Sequence, residues 1–496
     1  MRVKGWLIAA AVVIAAALVF GNRALSALVR DRLRHKLDEQ YGKGFQTGRL
    51  NVTLLPHVAV TAENVVYRPD PGLPPLITIR KFTAETNWLV VLGERVSNVR
   101  LEGLVIVVPP RKDGAGEKPV PPKTSHLVID RLVTDGAVLR VLPKKPGKQP
   151  LEFDLQQLTI TGVGESKAMR FQTILKNARP PGEIHSTGTI GPWQADPALT
   201  PVSGDYTFDH ADLSVFKGIA GMLSSRGSYK GVLDRIEVAG ATDTPDFSLR
   251  VSGQPMHLTT QFHAVVDGMN GNTLLDAVNG RLGDTPIETH GSVDQQPGEQ
   301  GKTVRLDARV RNGKLADMLR LAVPGQPTMN GLVSFTCTIV IPPGAVDIVD
   351  KLQLAGRFTI ARAEFSKLNV QEKVNELSHR GSGNPKEPPD ENVASNFHGT
   401  FKLSTGTIAF SNLSFQVPGV SVALAGTYGL DTRKIDLHGR ARLQAKLSQT
   451  VTGVKSFLLK ALNPLFSTNQ AGAVIPLHIG GTAQSPSFGL GSKSTG

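Results

Sequence analysis

The chain has 496 residues, 51 of them glycine and 33 proline, with only 5% aromatics and a single cysteine, Cys337. One cysteine excludes an internal disulfide framework and a cysteine zinc site, and the glycine and proline content suits many short strands joined by turns rather than a helical bundle. The net charge of +13 points to phosphate-bearing surfaces. Its basic residues are scattered over polar strand positions without aromatic interleaving, which favours a membrane surface over nucleic acid, and no nucleic-acid partner is expected.

At the start, Gly5 to Asn22 carry no charge and include Trp6, Leu7, Ile8, Leu18, Val19 and Phe20. This run is just long enough to span a bilayer. Two readings stand: an uncleaved membrane anchor, and a signal peptide with its cleavage site near Ala24-Leu25-Ser26. Leu25, Leu28, Val29, Leu33 and Leu37 then recur at helical spacing, opposite Arg30, Arg32 and Arg34. That pattern predicts an amphipathic helix, lying on the membrane or capping the first strands.

Beyond Gly42 the period changes from helical to two. Alternation is clear in Leu151 to Leu155, Val304 to Val310, Phe397 to Leu403 and Leu413 to Val417. It is strictest from Val420 to Leu443, where Val420, Val422, Leu424, Gly426, Tyr428 share one parity and Ile435, Leu437, Gly439, Ala441, Leu443 another. Successive strand side chains point to opposite faces, so each strand has one dry and one wet side. Helices are predicted over 212–223, with Asp212 as its N-cap, and over 314–321, 364–379 and 449–465.

These elements predict a mainly β fold: an N-terminal transmembrane helix, then an elongated, curled antiparallel β-sheet, groove-like, with a few short helices. Residues 1–41 form the anchor and amphipathic helix, 42–200 an N-terminal β region, 201–322 a middle β region with short helices, and 323–496 a C-terminal β region. Candidate groove residues are Phe397, Phe401, Phe415, Val420, Val422, Leu424, Tyr428, Ile435 and Leu437. The competing assignment for them is the core of a closed β-sandwich.

No nucleophile elbow or zinc-protease helix is present, so no catalytic residue is assigned and the expectation is a protein without enzymatic activity. Gly162 to Lys167 has the wrong spacing for a phosphate loop and reads as a hairpin turn. His257 and His263 read as solvent-side strand residues, and neither metal nor cofactor is expected.

The C-terminal segments Gly399-Thr400-Phe401-Lys402-Leu403, Asn412 to Gly419, Val422 to Tyr428 and Val474 to Thr482 resemble the AsmA family of bacterial envelope proteins. Gly48-Arg49-Leu50-Asn51-Val52-Thr53-Leu54-Leu55-Pro56-His57, after the anchor, resembles that family's opening strand. The resemblance covers both ends well and the middle only in style. It implies a single-pass protein of the bacterial inner membrane whose large C-terminal region lies in the periplasm. The implied role is outer-membrane biogenesis, with phospholipid carried along a hydrophobic β-groove; outer-membrane and other envelope proteins are further partners to expect. The alternative is a structural or assembly factor that binds outer-membrane components without moving lipid.

Overall fold

A computed structural model describes residues 44–54, 57–68, 74–86, 95–108, 128–142, 150–164, 167–194, 196–296, 301–366, 395–444 and 474–490, with scattered positions between 27 and 35 and between 371 and 382. They form 25 strands of an open, mixed, mostly antiparallel sheet. The expected anchor, with Trp6 and Phe20, and the helix over 449–465 lie outside the described residues. Among the described residues no helix is long and apolar enough to cross a membrane.

The chain divides into two compact units, one of residues 1–211, 226–238 and 266–270, the other of 212–225, 239–265 and 271–496. In the first, Val58–Tyr67, Ile77–Thr86 and Arg95–Val108 follow one another in antiparallel register. Arg95–Val108 then pairs in parallel with Val128–Val141. Parallel neighbours cannot be joined by a tight hairpin turn. Leu151–Val163 pairs antiparallel with Met169–Ala178, and Gly164 starts the turn between them while Gly162 is still in the first strand. Val99, Leu101, Leu104 and Ala137 form the core, with Ile79, Phe82 and Leu132 packed against it.

In the second unit each strand from Thr273–Leu282 to Pro486–Leu490 pairs antiparallel with the next in sequence. The helix expected over 314–321 is present as Leu315–Ala322. Buried Asp317 fixes it to the preceding hairpin by accepting from the Asp284 N–H at 3.1 Å and the Thr285 hydroxyl at 2.9 Å.

One helix expectation is overturned and another begins later than expected. Over 212–223 there is one 3-10 turn, Leu213–Val215, followed by the strands Ile219–Ala220 and Met222–Val232. Gly218 and Gly221 sit at φ of +100° and +138°, which ends any helical path. Asp212 does cap, but its carboxylate accepts from Ser214 N–H within that single turn. At the other site, Glu364 still belongs to the strand Gln353–Phe365, while the described residues from Gln371 to His379 are helical as expected.

Glycines allow the C-terminal strands to approach closely. A Cβ added at Gly439 would lie 1.9 Å from the carbonyl oxygen of Ala423 and 2.8 Å from Leu424 Cα on the neighbouring strand. Both obstacles are backbone and cannot rotate away. Gly439→Ala is therefore expected to destabilise by about 1–3 kcal/mol, the usual cost of overpacking, read as a lowered urea midpoint.

Candidate functional site

The site is one face of seven consecutive strands: Gln353–Phe365, Ser395–Ser404, Thr407–Val417, Val420–Gly429, Ile435–Leu443, Val474–Gly481 and Pro486–Leu490. Register places apolar residues in rows that run across them. One row is Ile360, Phe397, Phe415, Val422, Ala441 and Ile475. The next is Phe358, Gly399, Leu413, Leu424, Gly439 and Leu477. A third is Gly356, Phe401, Phe410, Gly426, Leu437, Ile479 and Phe488. A fourth is Leu354, Leu403, Ile408, Tyr428 and Ile435. Val417, Val420 and Leu443 close the series at the opposite end from that fourth row.

All nine candidate groove residues lie on this face. Phe397, Phe415, Val420, Val422, Leu424 and Leu437 belong to a single cluster with Leu413, Val417, Ala441 and Leu443. Phe401 meets it through Phe358, with ring centroids 6.1 Å apart. Tyr428 and Ile435 are cross-strand partners in the outermost row.

Burial is graded along the strands. Val420 is 2% exposed, Val422 4% and Leu424 7%, whereas Tyr428 is only half-buried. In the next strand Leu443 and Ala441 are buried while Leu437 and Ile435 are half-buried. The dry face is thus sealed near Val420, where Val374 joins the cluster, and part-open toward Tyr428. Burial raises the Tyr428 phenol above its usual pKa, with Arg433 opposing the shift.

Phe358, Phe365 and Phe410 complete the aromatic set that sequence reading missed. Phe365 packs edge-on to Phe397 at 6.3 Å, and Phe358 to Phe410 at 6.3 Å. Phe397 and Phe415 are closest, at 4.8 Å. Phe410 was hard to see because it breaks parity with Leu413. A register shift between these two residues absorbs the break, so both face the cluster. The signal was the polar pair Ser411-Asn412 between two apolar residues three apart.

The other face is wet: Ser421, Ala423, Ala425 and Thr427 are exposed, as are Asp436, His438, Arg440 and Arg442. Here Asp436 Oδ1 lies 2.7 Å from His438 Nε2 and 3.1 Å from His478 Nε2. These contacts, His478 first, hold the Asp436 carboxyl below its usual range. His257 pairs with Asp243 at 2.5 Å and His263 with Asp276 at 3.5 Å, as expected of solvent-side residues. A concavity of about 700 Å³ lies over the strands between Asp276 and Thr400, lined by Glu288, Asp307, Arg309 and Arg357 together with Val278, Ala308 and Cys337. It includes none of the nine candidates.

At the strand ends, Arg250 donates to Asp347 at 2.7 Å and Asp350 at 3.1 Å, and lies 3.5 Å from Asp431. The three carboxylates raise the guanidinium's pKa against a loss from burial.

The burial gradient predicts unequal truncation costs. Leu424→Ala should destabilise by about 2–5 kcal/mol, as for buried leucines generally, and Ile435→Ala by clearly less; urea unfolding of both variants measures this. Cys337 lies between Ala308 and Gly356 in register, and burial foremost, then Asp307, pushes its thiol up to about 11. It should resist a thiol reagent at pH 8 until the chain is unfolded, because the thiolate is the reacting species. No family model, curated protein or solved structure matches the chain.

Proposed function

We propose that this chain is a non-enzymatic, AsmA-like protein, anchored in the bacterial inner membrane, that supports outer-membrane biogenesis by carrying phospholipid along the dry face of its C-terminal sheet. The observation that carries this reading is the set of apolar rows continuous over several strands, sealed at the Val420 end and part-open at the Tyr428 end. Each methylene moved out of water is worth about 0.8 kcal/mol, so the roughly 30 methylenes of a phospholipid amount to about 25 kcal/mol. A carrier across an aqueous gap must offset most of that sum without interruption. Rows that continue from strand to strand meet this need; isolated apolar pockets do not.

The Arg250 contacts support a curled sheet in the second unit. Arg250 follows Arg235–Leu249, while Asp347 and Asp431 lie in turns five and nine strand spacings further along. With strands about 4.8 Å apart, a flat sheet would separate the arginine from these turns by roughly 24 and 43 Å across the strands alone. Contact at 2.7 and 3.5 Å favours a sheet that winds round over a flat one. A curled sheet gives its dry face the concavity that an acyl chain needs. The half-exposed side chains of Phe401, Tyr428, Ile435 and Leu437 are where lipid would enter, and the deeply buried Val420 end serves as the core that holds the strands together.

Site-specific photo-crosslinking in cells tests the reading. A benzophenone side chain at Tyr428 or Phe401 is expected to capture phospholipid, identified by mass spectrometry. The same probe at Thr427 or Lys402, one residue away on the wet face, is expected to capture none. Equal capture on both faces, or none on either, would overturn the assignment.

A further inference from the structure

We propose that Asp436, His438 and His478 form a binding site for a divalent d-block cation of the zinc class on the wet face of the sheet. This inference is independent of the lipid reading, which concerns the opposite face.

The three residues meet by strand geometry. Asp436 and His438 are two apart in Ile435–Leu443, so their side chains leave the same face. His478 is the direct cross-strand partner of His438 in Val474–Gly481. The two imidazoles stack with centroids 4.4 Å apart and planes 8° from parallel. Both rings turn Nε2 toward the same carboxylate oxygen, and one donor atom from each residue falls within 4.8 Å of the others.

That donor set is specific in its chemistry. Two imidazole nitrogens and one carboxylate oxygen suit zinc, nickel, copper or ferrous iron, and not calcium or magnesium, which take oxygen ligands. Bonds of about 2.0–2.2 Å around a tetrahedral ion place its donor atoms roughly 3.3 Å apart. The two separations of 2.7 and 3.1 Å are close to that spacing, and one imidazole must turn out of the parallel stack so that both ring lone pairs reach the same ion. The backbone is already fixed by the ladder between the two strands, so little ordering remains to be done on binding. Gly480 leaves His478 room to adjust, since a Cβ there would stand 3.2 Å from the ring. Exposure of Asp436 and His438 leaves water free to complete the coordination. Arg440, two residues further on the same face, is the one opposing charge on that strand next to His438, and it favours a moderate affinity over a tight one.

The consequence is a staple. Ile435–Leu443 and Val474–Gly481 are adjacent in space but joined through residues 444–473. An ion held by both strands binds only the paired state and stabilises that pairing by mass action.

The experiment is calorimetric titration of zinc chloride into the full-length chain, purified in detergent without an affinity tag. One equivalent per chain is expected, with a raised melting temperature on saturation. His438→Ala and His478→Ala should each weaken binding about tenfold or more, since even outer-shell changes at metal sites cost that much. His257→Ala, at an exposed histidine with a single carboxylate partner, should leave the affinity unchanged. If an alanine variant fails to fold, His478→Gln supplies the same comparison. Absence of saturable binding, or binding that survives both His438 and His478 substitutions, overturns the site.

Discussion

Register is the constraint on which everything else in the C-terminal sheet depends. A strand carries side chains alternately to its two faces, so a slip of one residue would turn Val420, Val422 and Leu424 into water and bring Ser421 and Ala423 inward. The ladder prevents that by pairing apolar rows strand after strand, from Ile360 to Ile475. Where the sequence loses phase, between Phe410 and Leu413, a register shift restores it. The bulge there keeps the dry face continuous at the cost of local irregularity.

Within the rows, large side chains and glycines stand opposite one another. Phe401 faces Gly356, Phe410 faces Gly426, and Leu424 faces Gly439. Gly426 sits at φ of +147°, and a Cβ there would strike the Asp436 carbonyl oxygen at 2.0 Å. The glycines thus bring backbones close together and leave space that neighbouring rings can cover. Phe358, Phe401 and Phe410 each face a glycine on one neighbouring strand, whereas Phe397 and Phe415 face each other.

The alternation of the last third was legible because each of its strands has a polar face, which makes period two visible. All nine groove candidates fall on the dry face for that reason. Less was legible wherever the local pattern and the tertiary contact disagreed. Leu213, Val215 and Phe216 have a helix-like spacing, yet Gly218 and Gly221 hold conformations that redirect the chain into strands. Phe358 and Phe365 are seven residues apart and reach the same cluster across a register shift, which no fixed period describes. The Asp436, His438 and His478 cluster joins residues forty apart in sequence, visible only once Ile435–Leu443 and Val474–Gly481 are known to be neighbours. The Arg250 contacts are more distant still, since turn residues reveal nothing of which other turn they meet.

Nearest-neighbour pairing has a consequence for how such a chain can change. Among the described residues of the second unit, the strands from Thr273–Leu282 to Pro486–Leu490 each hydrogen-bond to the next in sequence. No distant strand has to be inserted between them. A duplicated or deleted hairpin would therefore lengthen or shorten the apolar track by about 10 Å, two strand spacings, while leaving the pairing of the rest intact. The architecture works as a ruler graduated in hairpins, and its reach can be tuned by simple gene rearrangement without redesigning a core.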